Sequence, residues 1–221
     1  MDRRHNDIYT IANASNRFKF TINTFGIAVY LYDSYNQIAE ISDYDSLIVA
    51  CVFAACKFEE LQYPKIADFK LGNKEQICAY EIDIICKLSL FYKTSYVYLQ
   101  EYLEKYEYKY NEIYIVASKL ITLALYDDVC SKFNPAILAE TTLIIALKEK
   151  DEVFNINKCT DSCSDSYSDS CTDSLSSDST IITTFLSDTK YENISPILNA
   201  CILLIKKLVV KHCSKKRKYN N

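Results

Sequence analysis

Ten consecutive apolar residues, at positions 47–56, restrict the fold of this chain more than any other feature. The run is too short to span a bilayer, which requires about 20 apolar residues, so we expect it to form the middle of a buried helix in a globular core. Lys57, Glu59 and Glu60 follow the run, ahead of Pro64. These charges form either a solvated helix end or a docking site for another molecule.

Composition favours an all-α fold. The chain of 221 residues contains two glycines, whereas an all-β chain of this size would normally use several in its hairpin turns. The prolines at 135 and 196 each follow a side chain suited to capping a helix, which places them at helix starts. Apolar residues also recur at helical spacing. The pattern predicts helices near residues 3–15, 22–36, 45–60, 64–69, 74–88, 94–107, 111–127, 135–148, 181–188 and 194–212.

A weak internal repeat indicates two helical units. Two apolar, Ala-containing runs each end in a lysine, Lys57 or Lys148, with acidic residues after it, and each is followed later by another amphipathic helix. Two copies of a unit of about 100 residues fit the length of the chain. We therefore predict an N-terminal unit at 1–93, a second unit at 94–213 and a basic tail at 214–221.

The second unit contains a low-complexity segment. Between Cys159 and Thr180 the sequence repeats serine and aspartate without any Lys or Arg, so it cannot bury enough apolar area to offset the entropy of ordering it. We expect a disordered insert at about 156–180 that acts as a solvated spacer or as a phosphorylation site. It lacks the glycine of a calcium loop and the paired cysteines of a zinc site, so we expect no metal there.

Charge and residue usage argue against several function classes. A net charge of −4 and a pI near 5.3 disfavour a nucleic-acid binder that relies on phosphate neutralisation. The chain has two histidines and no Gly-rich phosphate loop, HExxH or GxSxG motif. We therefore expect no catalytic residues, no cofactor and no small-molecule ligand.

The N-terminus and the tail bear on location. The start, MDRRHNDI, does not resemble a secretory signal, so the ten cysteines indicate a reducing compartment, and we expect no membrane association. The "KKRK" of the tail is either a nuclear import signal or a solvated helix end. We expect the protein in the nucleus and the cytoplasm.

Two charged residues lie in apolar stripes. In the predicted helix at 74–88, Glu81 lies in line with Ile77, Ile84 and Leu88. Lys57 continues the apolar stripe of its own helix. One interpretation is a favourable cation at a helix end for the lysine and a side chain that reaches water for the glutamate. The alternative is that both border one apolar surface and hold a partner protein through charge-assisted hydrogen bonds.

Three segments carry a family resemblance. "LIVACVFAACKFEELQYPKIADF" resembles the central helix of the cyclin box and its sequel, in which an Ala-rich apolar run ends in Lys-Phe/Tyr-Glu-Glu. "EQICAYEIDIICKLSLFYKTSYVYLQEYL" resembles the following glutamate-bearing helix and the link to a second repeat. "LYDDVCSKFNPAILAETTLIIALK" is similar to the matching part of B-type mitotic cyclins. The resemblance implies an all-α fold of two tandem cyclin-like five-helix repeats.

The resemblance also implies a binding partner. Lys57 and Glu81 fall on the pair with which cyclins grip a cyclin-dependent protein kinase near its regulatory helix, with Phe58 and Glu59 beside them. Such binding moves the kinase helix inward and forms the catalytic Lys–Glu pair of the kinase. The implied function is that of a regulatory cyclin, a non-catalytic subunit that forms a heterodimer with a cyclin-dependent Ser/Thr kinase and activates it in mitotic control. The alternatives are a transcription-type cyclin, a transcription factor IIB-like adaptor, or a helical scaffold that binds no kinase.

Three further positions follow from the same resemblance. Arg4 and Asp33 match two residues that form a structural ion pair inside the cyclin box. Thr10 stands where the family has the tryptophan of a substrate-docking patch, so we do not expect substrates to dock through that surface.

Overall fold

The computed structural model describes residues 3–105, 111–160 and 200–210. Within them every regular element is helical, so the predicted all-α class is confirmed for this part of the chain, while the two tandem repeats and the domain boundaries stay predictions. The elements are α1 (Arg3–Phe18), α2 (Ile22–Ile38), α3 (Tyr44–Glu59), α4 (Lys74–Lys87), α5 (Ser95–Lys105), α6 (Asn111–Tyr126) and α7 (Pro135–Thr160), two 3-10 helices at Ile66–Phe69 and Cys130–Lys132, and helical residues at 200–210.

Short polar side chains start three of these helices. Thr21 before α2, Asp43 before α3 and Asn73 before α4 each accept a hydrogen bond from an amide in the first turn. Such caps satisfy amides that lack an intrahelical partner and contribute about 1 kcal/mol each. At α3 the hydroxyl of Ser46 also donates to Asp43, which lowers the pKa of that carboxyl below its ordinary value.

The largest departure from the predicted boundaries is in α7. We expected this helix at 135–148, but it continues to Thr160. The charged run at 148–152 contains good helix formers, and no glycine or proline interrupts it. The helix overlaps the first five residues of the insert predicted at about 156–180, and the limits of that insert stay a prediction. The remaining part, 161–180, lies outside the described residues.

Smaller differences concern the ends of two other elements. α1 continues to Phe18 and ends at Lys19, which has the left-handed φ of 58°. After Pro64 the chain forms a 3-10 helix that spans only Ile66–Phe69. Outside the described residues lie the predicted helix at 181–188, both ends of the predicted helix at 194–212 and the basic tail at 214–221.

The apolar run forms the centre of the first helical group, α1–α4. All ten side chains at 47–56 are buried, because α3 packs against α1, α2 and α4. A helix with neighbours on several sides is apolar around most of its circumference, which explains why the run shows no polar face. Among the described helices, none combines the length and the apolarity that crossing a membrane requires.

A second group, α5–α7, packs against the first at a close junction. α1 contacts α6, and α2 contacts α5. At Gly26 in α2, an added Cβ atom would lie 3.1 Å from the Thr94 methyl carbon and 3.2 Å from the Tyr96 ring, so a larger residue would have to displace these neighbours by a few tenths of an ångström. Beside it, the rings of Tyr30 and Tyr92 stack with centroids 3.7 Å apart. Since α2 also borders α3, it lies between the end of the apolar run and the second group.

Candidate protein-binding site

The structure brings Lys57 and Glu81 together. The packing of α3 on α4 places the ammonium nitrogen of Lys57 2.7 Å from Oε1 of Glu81. The glutamate side chain is 10% exposed and that of the lysine 37%. Glu81 therefore does not extend into water, as one interpretation held, but lies in the apolar stripe and pairs with a cation. A buried carboxylate needs such a partner, because burying a charge alone is costly.

Lys57 also contacts the aromatic core. Its ammonium nitrogen lies 4.0 Å from the centroid of the Phe53 ring, which is within the range of a cation–π interaction. Tyr63 packs against the same ring at 6.1 Å. Within the described residues, Glu81 is the one hydrogen-bond acceptor of the ammonium group. Because a lysine carries three donors, this half-exposed group can still bond to another molecule.

Exposed apolar side chains lie near each partner of the pair. Phe58 follows the lysine at the end of α3, and its ring meets that of Phe91 edge to face at 5.2 Å. Phe91 is 87% exposed. Ile85, one turn after Glu81 on α4, is also exposed. We call the surface formed by Lys57, Phe58, Glu81, Ile85 and Phe91 the Lys57 face. An ion pair inside an exposed apolar patch is typical of a protein-binding surface.

The two acidic residues after Phe58 bind the start of α2. Glu59 accepts a hydrogen bond of 2.8 Å from the side-chain amide of Asn23. Glu60 accepts from the backbone amide of Thr21 at 2.6 Å and from the hydroxyl of Thr24 at 2.5 Å. Carboxylates at a helix N-terminus are favourable because unpaired amides point toward them. The sequence reasoning missed these contacts, since no local signal links positions 36 or more residues apart.

Arg4 and Asp33 form a second ion pair, away from the Lys57 face. Nε of Arg4 donates to Oδ1 of Asp33 at 2.8 Å, and Nη2 donates to Oδ2 at 2.7 Å. Nη2 also donates to the carbonyl oxygen of Leu125 at the end of α6, at 3.0 Å. The arginine side chain is 12% exposed. The pair thus joins α1 to α2 and, through the carbonyl, to the second helical group.

A cavity of about 380 Å³ lies beside this pair, at the junction. Its charged lining residues are Arg4, Asp33, Asp128 and Lys132. They neutralise one another, because Lys132 donates to Asp128 at 2.9 Å and Arg4 pairs with Asp33. The cavity therefore presents no excess charge for an ionic ligand.

The described residues offer little for catalysis or metal binding. No group of three or more His, Cys, Asp or Glu side chains in that part of the chain is placed to hold a metal ion. The ring of His5 packs against Tyr126 with centroids 5.5 Å apart. Burial raises the pKa of the Cys56 thiol, next to Lys57, to about 12, so it is protonated at neutral pH. Thr10 donates to the carbonyl oxygen of Asn6 in its own helix.

Comparisons of the sequence point to one family. Residues 2–93 match the family model described as the N-terminal domain of cyclins. Over 103 residues, 42% of this chain, the sequence is 29% identical to Cyclin-B1-1 of Oryza sativa subsp. japonica. The matched region corresponds to 23% of that relative's length.

Comparisons of the fold find similar solved structures. A chain of the CAK complex from Chaetomium thermophilum bound to ATP-γ-S superimposes with a TM-score of 0.56 at 14% identity, covering 97% of this chain and 65% of that one. A chain of the yeast RNA Pol II CTD kinase CTDK-1 complex gives a TM-score of 0.54 at 15% identity, covering 93% and 74%. At such identities the likeness concerns the fold alone. Residues 2–93 are thus similar to the N-terminal domain of cyclins, and a stretch of 103 residues is similar to a B-type cyclin.

Proposed function

We propose that this chain is a regulatory cyclin that binds a cyclin-dependent Ser/Thr protein kinase and activates it without itself catalysing a reaction. The observation that carries the proposal is the Lys57–Glu81 pair, which has exposed apolar side chains near each partner and lies within the region that matches the cyclin N-terminal domain. The proposal is also supported by the two solved structures of similar fold, because both are chains of kinase complexes. Lys57, Phe58, Glu59 and Glu81 are the proposed kinase-binding residues.

The Lys57 face supplies two kinds of binding energy. Burying a largely exposed side chain such as Phe91 contributes about 1.5–3 kcal/mol, and Phe58, which is 40% exposed, contributes less. The ammonium group of Lys57 and the carboxylate of Glu81 then offer charge-assisted hydrogen bonds, which fix the orientation of the partner. Activation follows when the chain binds the active kinase conformer more tightly than the inactive one. A shift from 1:99 to 99:1 requires a difference of about 10⁴-fold in affinity.

The test uses the full chain and cyclin-dependent kinases of the cell from which it comes. We expect wild-type protein to bind one of these kinases and to raise its activity on a basic protein substrate. The double variant Lys57→Ala/Glu81→Ala should lose both properties. Lys87→Ala is the matched control, because it removes a Lys–Asp pair with the same 2.7 Å separation on another side of α4. A folded wild-type chain that binds and stimulates no such kinase would refute the proposal.

Within this function we propose a mitotic role, which the similarity to Cyclin-B1-1 supports. A transcription-type cyclin is the second candidate, because the similar folds come from the CAK complex and from an RNA Pol II CTD kinase complex. The assembled kinase decides between them: a mitotic complex should prefer a histone-type substrate, and a transcription-type complex the repeats of the RNA polymerase II C-terminal domain.

The remaining expectations are part of the same proposal. We propose a second cyclin-like repeat at 94–213, a location in nucleus and cytoplasm, and no role for nucleic acid, membrane or small molecules in binding. The net charge of −4 argues against an adaptor of the transcription factor IIB type, which would need basic residues spread over both repeats. Deleting residues 161–180 should leave kinase binding intact if the insert is a spacer. Imaging of a fluorescent fusion tests the location.

A further inference from the structure

A chain of hydrogen bonds connects the end of α3 to the start of α5 through one residue of α2. Asn23 donates from its side-chain nitrogen to Glu59 at 2.8 Å. Its side-chain oxygen accepts from the hydroxyl of Thr94 at 2.5 Å, across 71 positions of sequence. Thr94 is 2% exposed, so a partner protein cannot touch it. Both ends of one amide are therefore occupied, one by each helical group.

The direction of these bonds is defined. The hydroxyl oxygen of Thr94 lies 3.4 Å from the amide nitrogen of Val97 and accepts from it, which leaves the hydroxyl proton for Asn23. The amide of Asn23 then has its nitrogen toward Glu59, where a carboxylate can only accept. Thr94 thus donates to Asn23, and Asn23 donates to the carboxylate of Glu59. In such a series each hydrogen bond polarises the next one.

The surroundings leave Asn23 little freedom to adapt. On one side, Glu60 holds the backbone amide of Thr21 and the hydroxyl of Thr24. On the other, the methyl group of Thr94 packs closely against Gly26, where an added Cβ atom would lie only 3.1 Å from it. This close packing limits how far α2 can shift when Thr94 changes, so we expect such a change to reach Asn23.

We propose that Asn23 is a positioning residue of the kinase-binding site, which holds the carboxylate of Glu59 in place and is itself held by Thr94. The proposal rests on the kinase-binding function proposed above. If Asn23 has this role, the packing of α5 against α2 affects kinase affinity, although neither Thr94 nor the packed side of α2 touches the kinase.

The test measures the affinity of the full chain for its kinase in a double-mutant cycle. Thr94→Val removes the hydroxyl and preserves the shape of the side chain. We expect it to weaken binding about three- to tenfold when Glu59 is present, because the released Glu59 side chain must then be ordered on binding. In the Glu59→Ala background the same substitution should change the affinity less than about twofold, because the residue it acts through is gone.

Two variants separate positioning from general loosening. Thr94→Ser retains the hydroxyl and should bind within about twofold of wild type. Thr142→Val is the matched control, because it also removes a fully buried threonine hydroxyl, one that bonds only within α7. It should leave kinase affinity unchanged. Equal losses from Thr94→Val with and without Glu59, or no loss in either background, would overturn the proposal.

A second measurement needs no kinase. In nitrogen–proton NMR spectra of the free chain, Thr94→Val should shift the side-chain amide signals of Asn23 and the backbone signal of Glu59, whereas Thr142→Val should shift neither. If wild-type protein binds no kinase, the proposed function fails and these spectra still decide whether Thr94 and Asn23 position Glu59. If a kinase binds but Glu59 is unaffected by Thr94→Val, the positioning inference alone fails.

Discussion

The two interhelical ion pairs of the first helical group differ in the number of hydrogen bonds that the cation makes and in how far its side chain is exposed. Arg4 bonds to Asp33 through two nitrogens and also to the carbonyl oxygen of Leu125, and its side chain is almost enclosed. Lys57 makes a single bond to Glu81, and about a third of its side chain is exposed. One pair joins three helices, and the other joins two and borders apolar side chains in contact with water.

Two ion pairs of the same chemistry can therefore have different roles. Both pairs join a cation and a carboxylate at 2.7 Å. A guanidinium group has enough donors for a planar bidentate contact and a carbonyl, so it serves to hold helices together. A half-exposed ammonium group with donors to spare can bind a partner. Substitutions at each pair should therefore have their main effect on different quantities, stability for Arg4 and affinity for Lys57.

The largest effect on stability is expected for Arg4→Ala. The substitution leaves the Asp33 carboxylate and the Leu125 carbonyl without their donor, which should lower the free energy of unfolding by about 3 kcal/mol. Urea denaturation of the full chain measures it. Arg4→Lys should recover only part of the loss, because an ammonium group cannot make the bidentate contact. A loss below about 1 kcal/mol would contradict the role of this pair as a tie between helices.

The Lys57 face should respond asymmetrically. Lys57→Ala strands a largely buried carboxylate on Glu81 and should cost about 2 kcal/mol of unfolding free energy. Glu81→Ala should cost less than about 1 kcal/mol, because the more exposed ammonium group can turn to water. The same urea experiment compares the two variants. Equal losses would show that the two ends of the pair are equally buried in solution.

Phe91→Ala separates affinity from stability most cleanly. The ring is mostly exposed, so the free energy of unfolding should change by less than about 0.5 kcal/mol. Kinase affinity should fall about tenfold or more if the ring is buried on binding, since that burial contributes about 1.5–3 kcal/mol. Ile38→Ala is the control. This exposed side chain lies at the C-terminal end of α2, whereas Glu59 and Glu60 contact the N-terminal end of that helix. Equal affinities for the Phe91 variant and wild type would remove this ring from the binding surface.

The smallest expected effect is the pH dependence of stability that comes from Asp128, a neighbour of Arg4. The hydrogen bond from Lys132 holds the pKa of Asp128 below its ordinary value, and the charges of Lys132 and Arg4 add to this. The ionised form therefore stabilises the folded state above the ordinary pKa of about 3.9, and this contribution is lost as the pH falls through the lowered pKa. Since the carboxylate is half exposed, the contribution should stay below about 0.5 kcal/mol.

Urea midpoints of wild type and Asp128→Asn test this contribution. The difference between the two proteins should be present at about pH 6 and should shrink as the pH falls toward about 2, because protonation of the wild-type carboxyl removes the charge. If the difference between the two urea midpoints increased as the pH fell, ionised Asp128 would not stabilise the folded state.

The helices were the most predictable part of the molecule. The predicted limits of α2, α3, α4 and α6 agree with the structure within two residues, because apolar spacing and capping side chains are properties of neighbouring positions. The predicted end of α7, at residue 148, was wrong, because the sequence contains no stop signal before Thr160. The 3-10 helix at Cys130–Lys132 was not predicted, since so short an element has no periodicity.

The candidate site was predictable only in part. Glu81 and Lys57 drew attention as charges within apolar stripes, which is a local property of each helix. Their kinase-binding role stays a prediction. The bond of Glu59 to Asn23 had no sequence signal at all, because a short polar side chain near a helix start is ordinary in a sequence.

From the amino-acid sequence alone it follows that this chain is helical, where most of its helices begin, and that the run at 47–56 lies in a core. These properties follow from neighbouring residues and from the free energy of removing apolar side chains from water. The contacts of Lys57 with Glu81, of Arg4 with Leu125 and of Asn23 with Glu59 and Thr94 became known from the packing of the helices. Such contacts depend on how helices pack, and a shift of one helix by a single turn, about 5.4 Å, would remove each hydrogen bond without changing the pattern of the sequence.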